Sequence, residues 1–268
     1  MEFITDPQLS HKIFKDVVRI NYQVDMPSQT LNDCGTCFMI FVYGNSTCTN
    51  YEGKEMEVPR FFIKGSGDFF KVKGAANSSL LAFEMPNYFF SNITGLNATD
   101  SRNKFYEMSD FLPTEVVSSL IKEMEGEGTI DGMVKLIDKY LSPFYENWVQ
   151  KPESVEIVDY IFEKKGLINK SDLLTIFPHS SKTLDRLFNK EVGVSPHQFI
   201  KLIRFNFVLR LIAEDSSRCT LDIIQQYDYF DQSHLEKDFQ KFMGQSIYEY
   251  RNEDNPLLTS ALEIDFSR

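Results

Sequence analysis

Ser180-Ser-Lys-Thr-Leu-Asp-Arg-Leu-Phe188, followed by Glu191-Val-Gly-Val-Ser-Pro196, returns 51 residues later as Asp231-Gln-Ser-His-Leu-Glu-Lys-Asp-Phe239 and Gly244-Gln-Ser-Ile-Tyr-Glu-Tyr-Arg251. The recurring positions are Leu184, Phe188, Gly193, Ser195 and Phe199, which become Leu235, Phe239, Gly244, Ser246 and Tyr250. Leu and Phe four apart share one face of a helix, and a Gly five residues later marks its end. Ser180 and Asp231 stand at the same offset before each helix, where a side-chain oxygen can satisfy the free N–H groups of the first turn. The chain therefore carries two equivalent helical modules. A duplicated helix with a polar outer face is an arrangement able to enter two successive major grooves of DNA.

Between the copies, Phe199, Leu202, Ile203, Phe207, Leu211 and Ile212 recur at helical spacing through to Glu214. The spacing predicts one long helix after Pro196 that joins the modules rigidly and fixes the separation of their outer helices.

These copies resemble the tandem helix-turn-helix domain of the AraC/XylS family of transcription regulators. The first unit matches the family pattern S-x-x-x-L-x-R-x-F…G-x-S-P at every fixed position, from Ser180 to Pro196. The second follows D-Q-S-H-F-x-x-x-F…G-x-x-P-x-x-Y-R, with Leu235 in place of Phe and Ile247 in place of Pro. The matches run roughly over residues 155–252. Departures fall in the packed turn of each unit. Leu174 and Ile224 stand where the family usually has Ala, and Pro178 and Asp228 where it has Gly. Asp tolerates a positive φ at a cost, whereas Pro is fixed near −65°, so the first turn must take another shape.

Matching positions in the recognition helices, the resemblance implies DNA contacts from Lys182, Asp185 and Arg186 in the first unit and Gln232, Ser233 and Lys237 in the second. Arg and Lys can donate to guanine and Gln can pair with adenine, while Arg186 can also hold the phosphate backbone. His234 lies inside the Asp-Gln-Ser-His segment, which favours DNA contact or local capping over general-base work.

Charge sets a condition on that reading. The chain carries a formal charge of −11, and residues 153–252 hold 13 Lys and Arg against 15 Asp and Glu. Non-specific DNA affinity comes largely from counterion release by cations, so the few present have to be concentrated on one face. Lys182, Arg186, Lys190, Lys237 and Lys241 are the candidates for such a face.

The N-terminal region has another texture. Segments 17–24, 37–43, 60–63, 69–72 and 79–85 are rich in Phe, Val, Ile and Tyr and are separated by Gly, Asn, Asp and Pro. They read as strands, spaced as in an antiparallel barrel or sandwich. From Pro113 the pattern turns helical: Val116, Val117, Leu120, Ile121 and Met124 form one apolar stripe, and Met133, Leu136, Ile137, Tyr140 and Leu141 another. Prolines at 143 and 152 suggest a linker across residues 142–152.

The expected class is thus α+β: a β-rich, cupin-like barrel or sandwich over residues 1–112, helices for dimerisation and a linker over 113–152, an all-α tandem helix-turn-helix over 153–252, and a tail over 253–268. No apolar run reaches the length of a membrane span, and Met1-Glu-Phe-Ile-Thr-Asp6 lacks the features of a secretory signal, so a cytoplasmic protein without membrane contact is expected. The resemblance implies double-stranded DNA, a small-molecule effector, a second copy of the chain and RNA polymerase as partners. The alternative is a regulator-derived sensing or interaction module without specific DNA binding, motivated by the acidic balance and the altered turns.

Nothing in the chain calls for a cofactor, a metal or catalysis. Cys34-Gly-Thr-Cys37 is the sharpest exception, a C-x-x-C able to serve redox exchange or half a zinc site. Cys48 could join it, but Cys219 is remote and His11, His179, His197 and His234 show no metal-ligand spacing. Two small residues packing at a strand start is the favoured reading. No phosphate loop, G-x-S-x-G elbow or paired-carboxylate motif supports an enzyme.

Overall fold

The computed structural model describes residues 2–5, 11–44, 46–50 and 53–263. Its strands are β1 (Glu2–Thr5), β2 (Asp16–Tyr22), β3 (Gln29–Leu31), β4 (Cys37–Tyr43), β5 (Ser46–Asn50), β6 (Glu55–Glu57), β7 (Phe61–Lys64), β8 (Phe70–Gly74), β9 (Ser78–Met85) and β10 (Tyr106–Glu107). They form an antiparallel six-stranded sheet in the order β1-β2-β9-β4-β7-β10 and a four-stranded sheet in the order β3-β8-β5-β6. The N-terminal region is β-rich as expected, but among the described residues the sheets remain two open layers and close no barrel. Each strand anticipated from sequence is present. The added ones, such as Ser-Thr-Cys-Thr-Asn in β5, carry no apolar alternation to announce them.

The central strands explain their own composition. In β4, Met39 pairs with Phe83 and Phe41 with Leu81 of β9, and these side chains face one way; Ile40, Val42, Leu80 and Ala82 face the other. Both faces are covered, so the strand reads as an almost unbroken apolar run. The first face carries α1 (Phe89–Thr94), α2 (Thr114–Glu125), α3 (Ile130–Leu141) and α4 (Tyr145–Trp148), whose Phe89, Phe90, Leu120, Met133, Ile137 and Trp148 complete the core. The stripes read from sequence are therefore spent on the sheet. Residues 142–152, expected as a linker, are folded over their first part, since a 3-10 turn at Ser142–Phe144 leads into α4 and buries Tyr145 and Trp148.

The remaining helices are α5 (Ser154–Glu163), α6 (Lys170–Ile176), α7 (Ser181–Glu191), α8 (Pro196–Glu214), α9 (Thr220–Gln226), α10 (Gln232–Met243), α11 (Ile247–Asn252) and α12 (Pro256–Glu263). The long helix expected between the modules is α8, opened by a Ser195–Gln198 capping box with Pro196 in its first turn. Its flanks bury Phe199, Ile200 and Ile203 with the first module and Phe205, Val208, Leu209 and Ile212 with the second. Within the segment expected as a tail, Pro256–Glu263 form α12, which buries Leu258 and Leu262 in the second module.

The first module does not stand apart from the sheets. Val18, Ile20, Tyr22 and Cys34 belong to the same apolar cluster as Leu184, Phe188, Phe199 and Ile203. Polar contacts follow the same seam: Asn206 Nδ2 donates to the Asp33 carbonyl at 3.1 Å, and Asn255 Nδ2 to the Thr30 carbonyl at 2.8 Å.

Candidate nucleic-acid interface

Each module presents its outer helix in the same way. In α7, Ser180 Oγ accepts the Thr183 N–H at 3.1 Å, and Leu184, Leu187 and Phe188 turn inward. In α10, Asp231 Oδ1 accepts the His234 N–H at 2.9 Å, and Leu235, Asp238, Phe239 and Met243 turn inward. The sequence repeat is also a repeat of contacts. Phe188 meets Phe199 with ring centroids 5.9 Å apart, and their counterparts Phe239 and Tyr250 meet at 5.6 Å. Such tilted or edge-on pairs fix the angle of each outer helix against the helix that follows it.

The two turns differ as their residues require. Asp228 takes φ +53°, the left-handed conformation usually left to Gly. In the first unit Phe177 before Pro178 is extended, at φ −106° and ψ 135°, and the His179 N–H returns to the Phe177 carbonyl at 2.7 Å. Leu174 is half-buried and Ile224 buried, so the bulk that replaces Ala is packed into the modules.

The N-terminal turns of both outer helices are open to solvent and their C-terminal ends are seated on the β-rich region. Ser91 Oγ of α1 donates to the Lys190 carbonyl at 3.0 Å, while inside the first module the Ser154 N–H of α5 donates to Glu191 Oε2 at 3.2 Å. Gly193 and Gly244 close the helices at φ +94° and +67°. A Cβ on Gly193 would stand 2.8 Å from the Ala98 carbonyl oxygen, and one on Gly244 would enter the Phe69 ring. Glycine is needed there for both conformation and approach.

Of the residues matched to DNA-contacting positions, Lys182, Arg186, Gln232, Ser233 and Lys237 are exposed. Asp185 is half-buried and holds Lys170 Nζ at 2.6 Å. Lys190 and Lys241 are both exposed, near the ends of α7 and α10; partial burial, then Lys201, pulls the Lys241 ammonium below the usual lysine range. His234 engages Asp231 through Nδ1 at 2.9 Å, and its backbone and ring hold the Asp231 carboxyl below the usual carboxylate range.

Sequence reading missed the brace behind the second helix. Asp238, only 2% exposed, receives Lys201 Nζ from α8 at 2.8 Å and the Tyr229 hydroxyl at 3.2 Å. It passes in sequence for one more surface charge, because its partners come from the linking helix and the preceding turn.

A cleft of about 730 Å³ opens between the β-rich region and the helical modules. Lys15, Lys151, Lys165 and Arg210 line it with Asp159 and Glu163, over an apolar wall that includes Val158, Phe162 and Phe207. Beside it Glu84 of β9 is 1% exposed, and neither carboxylate oxygen finds a hydrogen-bond partner of good geometry among the described residues, although Thr36 lies near. Burial raises its pKa to about 7 against the pull of Lys15. Cys34 and Cys37 are buried and free, and burial pushes both thiols far above the ordinary range.

Two capped, solvent-facing recognition helices on one linking helix define a tandem helix-turn-helix domain. Residues 173–253 match the family model described as a helix-turn-helix domain. The chain is 23% identical over 188 residues to the probable transcriptional regulator LumQ of Photobacterium leiognathi, covering 66% of this chain and 73% of that relative. Among solved structures it is similar to ToxT from Vibrio cholerae, at 12% identity and a TM-score of 0.49, over 94% of this chain and 98% of that one. It is also similar to the AraC-like transcriptional activator CuxR, at 12% identity and a TM-score of 0.32, over 89% and 79% of the two chains. The domain match spans both modules, so residues 173–253 carry a helix-turn-helix domain.

Proposed function

We propose that the protein is a ligand-responsive transcription regulator that binds specific double-stranded DNA through the N-terminal turns of α7 and α10. The observation that carries this reading is the shared presentation of both helices, with capped N-terminal turns in solvent and aromatic-braced bodies on α8. In helix-turn-helix proteins, residues of these first turns reach base edges in the major groove. Lys182, Arg186, Gln232, Ser233 and Lys237 are the base and phosphate contacts in this reading, and Asp185 orients Lys170.

The effector site in this proposal is the cleft between the β-rich region and the modules. Its cations and apolar wall suit an anionic small molecule with an apolar body, and α5 and α8 would feel its arrival directly. The regulator acts in the cytoplasm as a homodimer, and RNA polymerase is the partner through which bound DNA affects transcription. The acidic balance of the chain favours one competing reading, a sensing or interaction module without specific DNA binding. Genome-wide binding of the purified protein to fragmented genomic DNA of its own source separates them. Enrichment of a recurrent site with two half-sites about one helical turn apart is expected. Enrichment of no sequence would sink the proposal.

A further inference from the structure

Phe230 is 88% exposed, the most exposed of the large apolar side chains described, and it stands one residue before the cap of the second recognition helix. A phenylalanine left in water forgoes a favourable burial, so its placement needs a reason. The turn that holds it is fixed on both sides. Asp228 adopts the left-handed conformation, and Tyr229 points inward to bond Asp238 through its hydroxyl. Asp231 caps the helix, and the Phe230 ring leans edge-on against His234, with centroids 5.7 Å apart. The side chain is thus held outward next to Gln232 and Ser233.

We infer that Phe230 reads a thymine, its ring packing on the 5-methyl group in the major groove at the half-site of the second module. The inference rests on the DNA-binding reading above. A phenyl ring has no hydrogen-bonding group for a phosphate or for the donors and acceptors of a base edge. The thymine methyl is the apolar feature that a major groove offers. The carboxylates of Asp228 and Asp231 on either side disfavour a position against the phosphates, which leaves the floor of the groove for the ring between them.

The test uses the full-length protein and the operator recovered by genomic binding. Each thymine of the second half-site is replaced singly by deoxyuridine, which removes the methyl group alone, and affinities are measured for wild type and Phe230→Ala. At one position the replacement should weaken wild-type binding about fourfold, the worth of one buried carbon. Phe230→Ala should weaken binding to the thymine operator by at least as much and lose nothing further on the deoxyuridine operator. Phe230→Leu should keep part of the thymine preference. Its melting temperature should equal that of wild type, as should that of the Ala variant, since the side chain packs on little of the fold. A full deoxyuridine penalty persisting in Phe230→Ala, or no penalty at any thymine in wild type, overturns the inference while leaving DNA binding intact. A protein that enriches no DNA sequence overturns both readings together.

Discussion

Glu84 is a carboxyl placed where water cannot reach it, and its titration should be visible in the stability of the whole chain. Its pKa in the folded state is about 7, whereas an unfolded Glu titrates near 4.3. Between these values the native state holds a proton that the unfolded state has lost. Stability from this group is therefore complete below about pH 4, declines as pH rises through 7, and levels off above. Lys15 and Arg210 draw the value down and Asp16 pushes it up, but burial dominates. Glu84→Gln should stabilise the protein at pH 8 by about 2–3 kcal/mol, with the gain falling to about 1 kcal/mol near pH 5 and vanishing below about pH 4. Urea unfolding at both pH values checks it, and equal stability of variant and wild type at pH 8 would remove the argument. Cys34 and Cys37 make a second case at this scale. With both thiols buried and raised, little thiolate is available for exchange. The double Ser variant should lose about 1–3 kcal/mol of stability from burying hydroxyls, while operator affinity stays the same with and without reductant. A redox-dependent affinity that the variant abolishes would reinstate a sensing role.

The recognition helices are where sequence and structure agree most closely, and the agreement has a local cause. A Leu and a Phe four apart, a cap and a terminal Gly are all contained within one helix and its ends, so Leu184, Phe188, Ser180 and Gly193 state their roles without help from distant residues. The same holds for α8, whose apolar residues must face both modules. What stayed hidden is non-local. Asp238 owes its burial to Lys201 and Tyr229, Glu84 stands between Phe83 and Met85 in sequence but faces Lys15, Asp16, Thr36 and Arg210 in the fold, and the open sheets depend on pairings across the N-terminal half. Truncation should expose the brace: Asp238→Ala leaves Lys201 half-buried without its counter-ion and is expected to cost about 3 kcal/mol, measured by thermal unfolding. A cost under about 0.5 kcal/mol would reclassify the pair as an exposed one. On the outer face of the same helices, Arg186→Ala and Gln232→Ala should each cost about 1–3 kcal/mol of specific affinity with little change in melting temperature. Unchanged affinity of both variants on a cognate operator would refute the assignment of the contact face.

Across the whole molecule, the modules are anchored on the β-rich region by a shared apolar cluster and by Asn206 and Asn255, so DNA binding and the state of the sheets are mechanically connected. Gly35 marks how close that seam is: a Cβ there would stand 2.8 Å from Ile203 on α8. A ligand that shifts the seam would shift α8 and with it the relation between the two recognition helices. Electrostatics limit how strongly one chain can hold DNA. Of the net charge of −11, only about −2 falls on residues 153–252 and the rest on the remainder. On the outer helices the exposed cations are Lys182, Arg186, Lys190, Lys237 and Lys241, the last of them offset in part by Asp238 and Asp68. At a slope near −0.9 per neutralised phosphate, a single chain should give a plot of log affinity against log salt with a slope of about −3 to −5. Non-specific binding should then be weak at physiological salt, and tight binding should require two chains on paired sites, so that affinity for one site falls when its neighbour is deleted. The slope is measured with the full-length protein on a single-site duplex, alongside sedimentation to count chains per duplex. A slope steeper than about −6 for one chain, or tight binding to random DNA at 0.15 M salt, would mean that cations beyond the recognition helices carry the interaction.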